Sequence, residues 1–81
     1  MRIDVMFFAG LRDVVGVPAE YYETLPSPLT ARDLVAHIEQ RHELQLPVEG
    51  VRVAINEEFQ EWDTALSSGD VVAFIPPVSG G

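Results

Sequence analysis

Apolar and polar residues alternate at the start of the chain, which predicts a strand with one buried face. Over residues 2–8, the side chains predicted to point into a core are Ile3, Val5 and Phe7. Phe8 falls on the other, more polar face, where it either turns inward at the strand end or stays on the surface beside Met6. An exposed aromatic next to a methionine would suit a partner surface.

Further extended stretches are predicted at 19–25, 51–55, 59–62 and 71–75. The first is the weakest, and prolines end it because proline cannot continue a hydrogen-bonded ladder. The last is apolar at every position, which is typical of a central strand. Asn56 is expected in a turn, so that the third stretch can pair back on the second as a short strand.

One long helix is predicted, over residues 30–43. Thr30 is a good N-cap and Asp33 stands where the acid of a capping box belongs. The apolar stripe expected to face the core is Ala31, Leu34, Val35 and Ile38. Shorter helical turns are predicted at residues 9–16, closed by Gly16, and at residues 64–66.

This order of elements predicts an α+β fold in which one main helix packs across a mixed sheet. The 81 residues suffice for a single domain. We expect that domain to span residues 1–75 and a projecting C-terminal tail to span residues 76–81.

The net charge of −8 comes from thirteen acidic and five basic residues, and all five basic residues are arginine. Such a charge argues against a nucleic-acid partner. It fits either a basic protein partner or a role in solubility alone. No apolar segment is long enough to span a membrane, and the start of the chain does not look like a signal peptide. A cytoplasmic location is therefore expected.

Few residues suggest chemistry within the domain. His37 and His42 are five positions apart on the helix, so they should lie on different faces rather than share a metal. Glu57, Glu58, Glu61 and Asp63 are interpreted as a solvated acidic cluster, and Phe59 and Trp62 as core or partly buried aromatics. There is no cysteine, no phosphate-binding loop and no catalytic triad. We expect no bound metal or cofactor and no active site of the chain's own.

The end of the chain is the exception. Pro76 and Pro77 restrict φ and favour an extended path, while Gly80 and Gly81 keep the terminus thin. Six extended residues reach about 20 Å. The carboxylate of Gly81 is the remaining unusual reactive group, and it becomes a good electrophile if ATP converts it to an acyl-adenylate. A frayed terminus without function is the alternative reading.

Three segments resemble a known family: residues 6–16, residues 53–56, and residues 68–81 with their terminal Phe-Ile-Pro-Pro-Val-Ser-Gly-Gly. They are similar to the small subunits of molybdopterin synthase, which are ubiquitin-like sulfur carriers with a β-grasp fold. The resemblance covers essentially the whole chain in order and length. Its terminal part is the most specific, and the helix is generic.

The resemblance implies a sulfur cycle. An E1-like enzyme uses ATP to adenylate Gly81. Sulfur from the persulfide of a sulfur donor protein then converts the C-terminus to a thiocarboxylate. The tail enters the large synthase subunit within a heterotetramer and gives its sulfur to precursor Z, and two such transfers build the dithiolene of molybdopterin. The tail residues implied in this insertion are Pro76, Pro77, Val78, Ser79 and Gly80. The implied subunit contact uses Phe8, Phe59 and Ile75, where the family often has an aromatic in place of Ile75.

Three alternatives remain open from the residues. The same adenylate could join Gly81 to lysines of target proteins, which would make the chain a protein modifier. A sulfur carrier of another pathway, such as thiamine synthesis, would share the fold and the Gly-Gly end. The chain could also be an acidic interaction module with an inert tail.

Overall fold

The computed structural model of the chain describes residues 1–77, and these form one five-stranded mixed sheet with two helices. The elements in chain order are β1 (Ile3–Phe7), α1 (Ala9–Val15), β2 (Ala19–Tyr22), α2 (Ala31–His42), β3 (Arg52–Ile55), β4 (Glu58–Gln60) and β5 (Val71–Ile75). The α+β prediction is therefore confirmed.

The strand order is β2-β1-β5-β3-β4, which places β5 at the centre. β5 runs parallel to β1 and antiparallel to β3, while the outer pairs are antiparallel. The apolar composition of β5 predicted this central position. The chain after Ile75 consequently leaves from the middle of the sheet.

The core lies between α2 and one face of the sheet. Leu34 and Ile38 of the helix are fully buried together with strand residues that include Val5 and Phe74. Ile3, Val5 and Phe7 are all buried, as the alternation predicted. Trp62 is half-buried and stacks on Phe74 with ring centres 5.9 Å apart.

The main helix begins with the predicted capping box. The Thr30 side-chain oxygen accepts a hydrogen bond from the Asp33 backbone N–H, and the Asp33 carboxylate accepts one from the Thr30 N–H. These bonds satisfy donors that a helix start would otherwise leave unpaired. The predicted C-cap of α1 is also present, since Gly16 adopts a left-handed conformation with φ of 95°.

Three local predictions were wrong. The short strand predicted at residues 59–62 is observed at Glu58–Gln60. Residues 64–66 are extended rather than helical, because the Thr64 carbonyl accepts from the Ala31 N–H and the Leu66 N–H donates to the Leu29 carbonyl. Their backbone groups are thus hydrogen-bonded to the segment that enters α2. The second strand ends at Tyr22 rather than at residue 25.

The predicted boundary after residue 75 coincides with the end of β5. The tail residues Val78, Ser79, Gly80 and Gly81 lie outside the described residues, so the division into a domain and a projecting tail stays a prediction. Neither helix within residues 1–77 is long and apolar enough to cross a membrane.

Candidate functional site

The face of the sheet that α2 does not cover carries an apolar groove of about 270 Å³. We call it the outer-face groove, and its lining residues are Met6, Phe8, Ala54, Glu57, Phe59, Val71, Ala73 and Ile75. Seven of these eight side chains are apolar. A concave apolar surface rimmed by polar groups is typical of a site that binds another molecule.

Strand register explains how the groove forms. Met6 pairs with Ala73, Ala73 with Ala54, and Ala54 with Phe59, so these residues make one row across four strands. Alanine occupies the two middle positions and larger side chains occupy the ends. Because side chains on one face of a sheet stand side by side, small residues between large ones leave a depression.

The groove brings together all three side chains predicted for the partner interface, Phe8, Phe59 and Ile75. Phe8 is 41% exposed and Phe59 is 52% exposed, whereas Ile75 is half-buried. The interpretation of Phe59 as a core or partly buried aromatic was therefore wrong. It lies on β4, whose described residues are all exposed at the edge of the sheet. Whether these residues contact a partner stays a prediction.

Phe8 reaches the surface because the chain changes direction there. It follows the last residue of β1 and is the N-cap of α1, with φ of −118° and ψ of 149°. The next residue, Ala9, has φ of 49°, and Leu11 is buried and anchors the short helix. The ring of Phe8 is thus held outside the core by elements anchored on both sides.

Arg52 contributes to the site, although no pattern in the sequence singled it out. Its guanidinium carbon lies 3.9 Å from the centre of the Phe59 ring, within the range of a cation–π contact. Arg52 also pairs with Ile75 in the β3–β5 ladder. The sequence analysis also did not predict that Ala54 and Ala73 line the groove. Both are small residues at outward-facing strand positions, and that pattern could have identified them.

The two histidines do not form a site. His42 Nε2 lies 2.8 Å from Glu20 Oε1 and joins the end of α2 to β2, while His37 lies elsewhere on the helix. Tyr22 donates its phenol hydrogen to Glu20. Burial, followed by this hydrogen bond, holds the pKa of Tyr22 well above its usual range. This cluster connects secondary-structure elements and lies on the opposite edge of the sheet from β4.

The acidic cluster is solvated, as predicted. Glu57, Glu58, Glu61 and Asp63 are all exposed. Asp63 forms an ion pair with Arg32 at 3.0 Å, and Glu57 borders the outer-face groove. Residues 1–77 contain no group of three or more histidine, aspartate or glutamate side chains that could hold a metal ion.

Comparison with known proteins places these features in a class. The fold is that of the ubiquitin-like β-grasp proteins. A structure from Pyrococcus furiosus, described as a proposed subunit 1 of molybdopterin converting factor, is 33% identical, covers 96% of this chain and 99% of its own, and has a TM-score of 0.79. The structure of SAMP1 from Haloferax volcanii is 24% identical with full coverage of both chains and a TM-score of 0.83, and it supports the fold.

The sequence comparisons identify the family. The ThiS family model matches residues 5–81, and the chain belongs to the ThiS family. The molybdopterin synthase sulfur carrier subunit of Escherichia coli strain K12 is 38% identical over 98% of this chain and 99% of its own length. The family resemblance found in the sequence is therefore confirmed.

Proposed function

We propose that the chain is the sulfur carrier subunit of a molybdopterin synthase and that the carboxylate of Gly81 carries the sulfur. The observation that carries the proposal is the outer-face groove, which gathers Phe8, Phe59 and Ile75 where β5 leads into the tail. Support also comes from the 38% identity to the Escherichia coli sulfur carrier subunit along nearly the full length of both chains. The family match extends over residues 5–81 and therefore includes Gly80 and Gly81.

The proposed chemistry begins with activation. An E1-like enzyme joins the Gly81 carboxylate to the α-phosphate of ATP, which forms an acyl-adenylate and releases pyrophosphate. A persulfide of a sulfur donor protein attacks the acyl carbon and displaces AMP. A thiol reductant then cleaves the sulfur–sulfur bond and leaves the thiocarboxylate. ATP is bound by the activating enzyme, and this chain holds no cofactor of its own.

The proposed delivery step uses the large synthase subunit, in a heterotetramer of two small and two large subunits. Phe8, Phe59 and Ile75 dock on that subunit, and residues 76–81 enter its active site. Exposed aromatics around a concave apolar surface are the residues expected to dominate such an interface. Two thiocarboxylated chains each give one sulfur to precursor Z, and water restores the carboxylate of each Gly81. The large subunit rather than this chain supplies the catalytic groups.

A transfer assay tests this function. The chain is prepared with a thiocarboxylate at Gly81 by thiolysis of an intein fusion and is mixed with the large subunit of the same organism and precursor Z. We expect molybdopterin to form while Gly81 returns to a carboxylate. A thiocarboxylate that persists with both components present would contradict the proposal. Accumulation of Gly81–lysine conjugates in cell extract would instead support the protein-modifier alternative.

A further inference from the structure

The ladder between β3 and β5 ends where the tail begins. Its last pair is Arg52 with Ile75. Continuing the same register by two residues brings Gly50 opposite Pro77. Proline has no N–H to donate to a ladder, so Pro77 cannot donate a ladder hydrogen bond at this position.

Gly50 and Pro77 are in close approach. A Cβ placed on Gly50 would lie 3.2 Å from Cγ of Pro77 and 3.5 Å from its Cβ. The first distance is tighter than an ordinary van der Waals contact, and the second is ordinary. The ring of Pro77 therefore occupies space that is free because residue 50 has no side chain.

Gly50 lies in a hydrogen-bonded turn. The Val51 N–H donates to the Val48 carbonyl at 3.0 Å, which makes Gly50 the third residue of a tight turn. Its φ is +76°, a value that this position of a type II turn requires and that glycine adopts without steric cost. Val51 is buried and leads directly into β3, so the turn is anchored to the sheet.

We propose that Gly50 is a positioning residue for sulfur delivery. Its missing side chain lets the Pro77 ring seat against the turn, which fixes the backbone at the point from which Gly81 is delivered, four residues further on. The consequence for sulfur transfer rests on the proposed function, whereas the contact between the turn and the ring does not. Gly50 touches no reacting atom and acts through Pro77.

A Gly50→Ala substitution should displace the ring rather than the turn. Pro77 is exposed, whereas the turn is held by its hydrogen bond and by buried Val51. A displacement of a few tenths of an ångström at the base of the tail should misplace the thiocarboxylate in the partner's active site. Errors in placement of this kind are costly, because reacting groups must be held close to their productive geometry.

Gly69→Ala provides a matched control. Gly69 also has a positive φ, of +96°, but a Cβ added there would meet nothing within 4 Å. It precedes β5 at the end of the strand opposite the tail. Both substitutions force alanine into a backbone conformation that it rarely adopts, so both should lower the unfolding temperature. Only Gly50→Ala should affect Pro77.

The experiment combines NMR of the isolated full-length chain with single-turnover sulfur transfer at saturating large subunit. We expect Gly50→Ala to shift the Pro76 and Pro77 resonances and to slow transfer on the order of tenfold, while Gly69→Ala leaves both unchanged. Combining Gly50→Ala with Pro77→Ala, which removes Cγ, should transfer sulfur at the rate of Pro77→Ala alone.

Two results would overturn the inference. One is a Gly50→Ala chain whose Pro77 resonances do not move. The other is equal slowing of transfer by Gly50→Ala and Gly69→Ala, which would indicate a general loss of stability. If the unsubstituted thiocarboxylated chain transfers no sulfur at all, the proposed function fails, and the NMR comparison alone decides whether Gly50 positions Pro77.

Discussion

Arg52 and Phe59 form a stacked pair on the uncovered face of the sheet, with the guanidinium carbon 3.9 Å from the centre of the ring. Phe59 remains 52% exposed in this arrangement. Arg52 lies on β3 opposite Ile75, the last residue of β5. The pair therefore holds one wall of the outer-face groove in place next to the strand from which the tail departs.

Replacing Arg52 with glutamine should weaken docking on the large subunit about two- to fivefold, because a cation stacked on an exposed ring contributes about 0.5–1 kcal/mol. The dissociation constant can be measured by titration calorimetry. Arg32→Gln removes the same charge from α2, where Arg32 pairs with Asp63. Equal weakening by the two substitutions would indicate that only net charge matters and that the stacked pair does not.

Phe59→Ala should weaken docking by about tenfold or more, since aromatic side chains at the centre of an interface often contribute more than 1 kcal/mol. The free energy of unfolding should change by only about 0.5 kcal/mol, because the ring is already exposed. Tyr21→Ala is the control. Tyr21 is also half exposed and stacked by an arginine, Arg2, but it does not line the groove. Comparable losses in both variants would place the interface elsewhere.

The sequence predicted the elements that periodicity and capping determine. Alternation located the buried face of β1, and the Thr30–Asp33 box located the start of α2. Such signals are local, because each depends on residues a few positions apart. The resemblance to the sulfur carriers added Phe8, Phe59 and Ile75, which the structure then gathers in one groove.

What the sequence did not predict depends on contacts between distant segments. Residues 64–66 are extended because Leu29 and Ala31, at the entry to α2, are their hydrogen-bond partners. Phe59 is exposed because β4 is an edge strand. Gly50 lies against Pro77 because of the register between β3 and β5. None of these relationships can be read from the composition of the segments themselves.

Thr30→Ala should lower the free energy of unfolding by about 1 kcal/mol, the usual contribution of an N-cap side chain. It should also change the pH dependence. Hydrogen bonding of the Asp33 carboxylate to the Thr30 backbone N–H, and after it to the Thr30 hydroxyl, holds the pKa of Asp33 below its ordinary value. The stability that Asp33 contributes is therefore present above the pKa of an unfolded aspartate and is lost as the pH falls through the folded pKa.

Thermal unfolding of Thr30→Ala and Asp33→Asn between neutral and acidic pH checks this prediction. Both variants should lose less stability on acidification than the unsubstituted chain. Thr30→Ala removes the side-chain contribution to the depressed pKa of Asp33, and Asp33→Asn removes the titrating group itself. Unfolding curves that run parallel to those of the unsubstituted chain over this pH range would argue that the capping box makes no pH-dependent contribution.

Deletion of Gly81 should leave the fold intact and abolish sulfur transfer. The core and the seven secondary-structure elements of the described residues 1–77 all lie within residues 1–75, so the circular dichroism spectrum and unfolding temperature should be unchanged. The deletion moves the terminal carboxylate back by one residue, so it should no longer reach the reacting groups of the activating enzyme and the large subunit. A shortened chain that no longer folds would contradict the division into a domain and a tail.

The most direct test of the central claim is the mass of the C-terminal peptide. The full chain is incubated with its activating enzyme, ATP and a persulfide sulfur donor, with the Escherichia coli sulfur carrier subunit and its own activating enzyme run in parallel. We predict an ATP-dependent mass increase that corresponds to exchange of one oxygen for sulfur at Gly81. An unchanged mass, while the Escherichia coli protein undergoes the exchange, would contradict the assignment of this chain as a sulfur carrier.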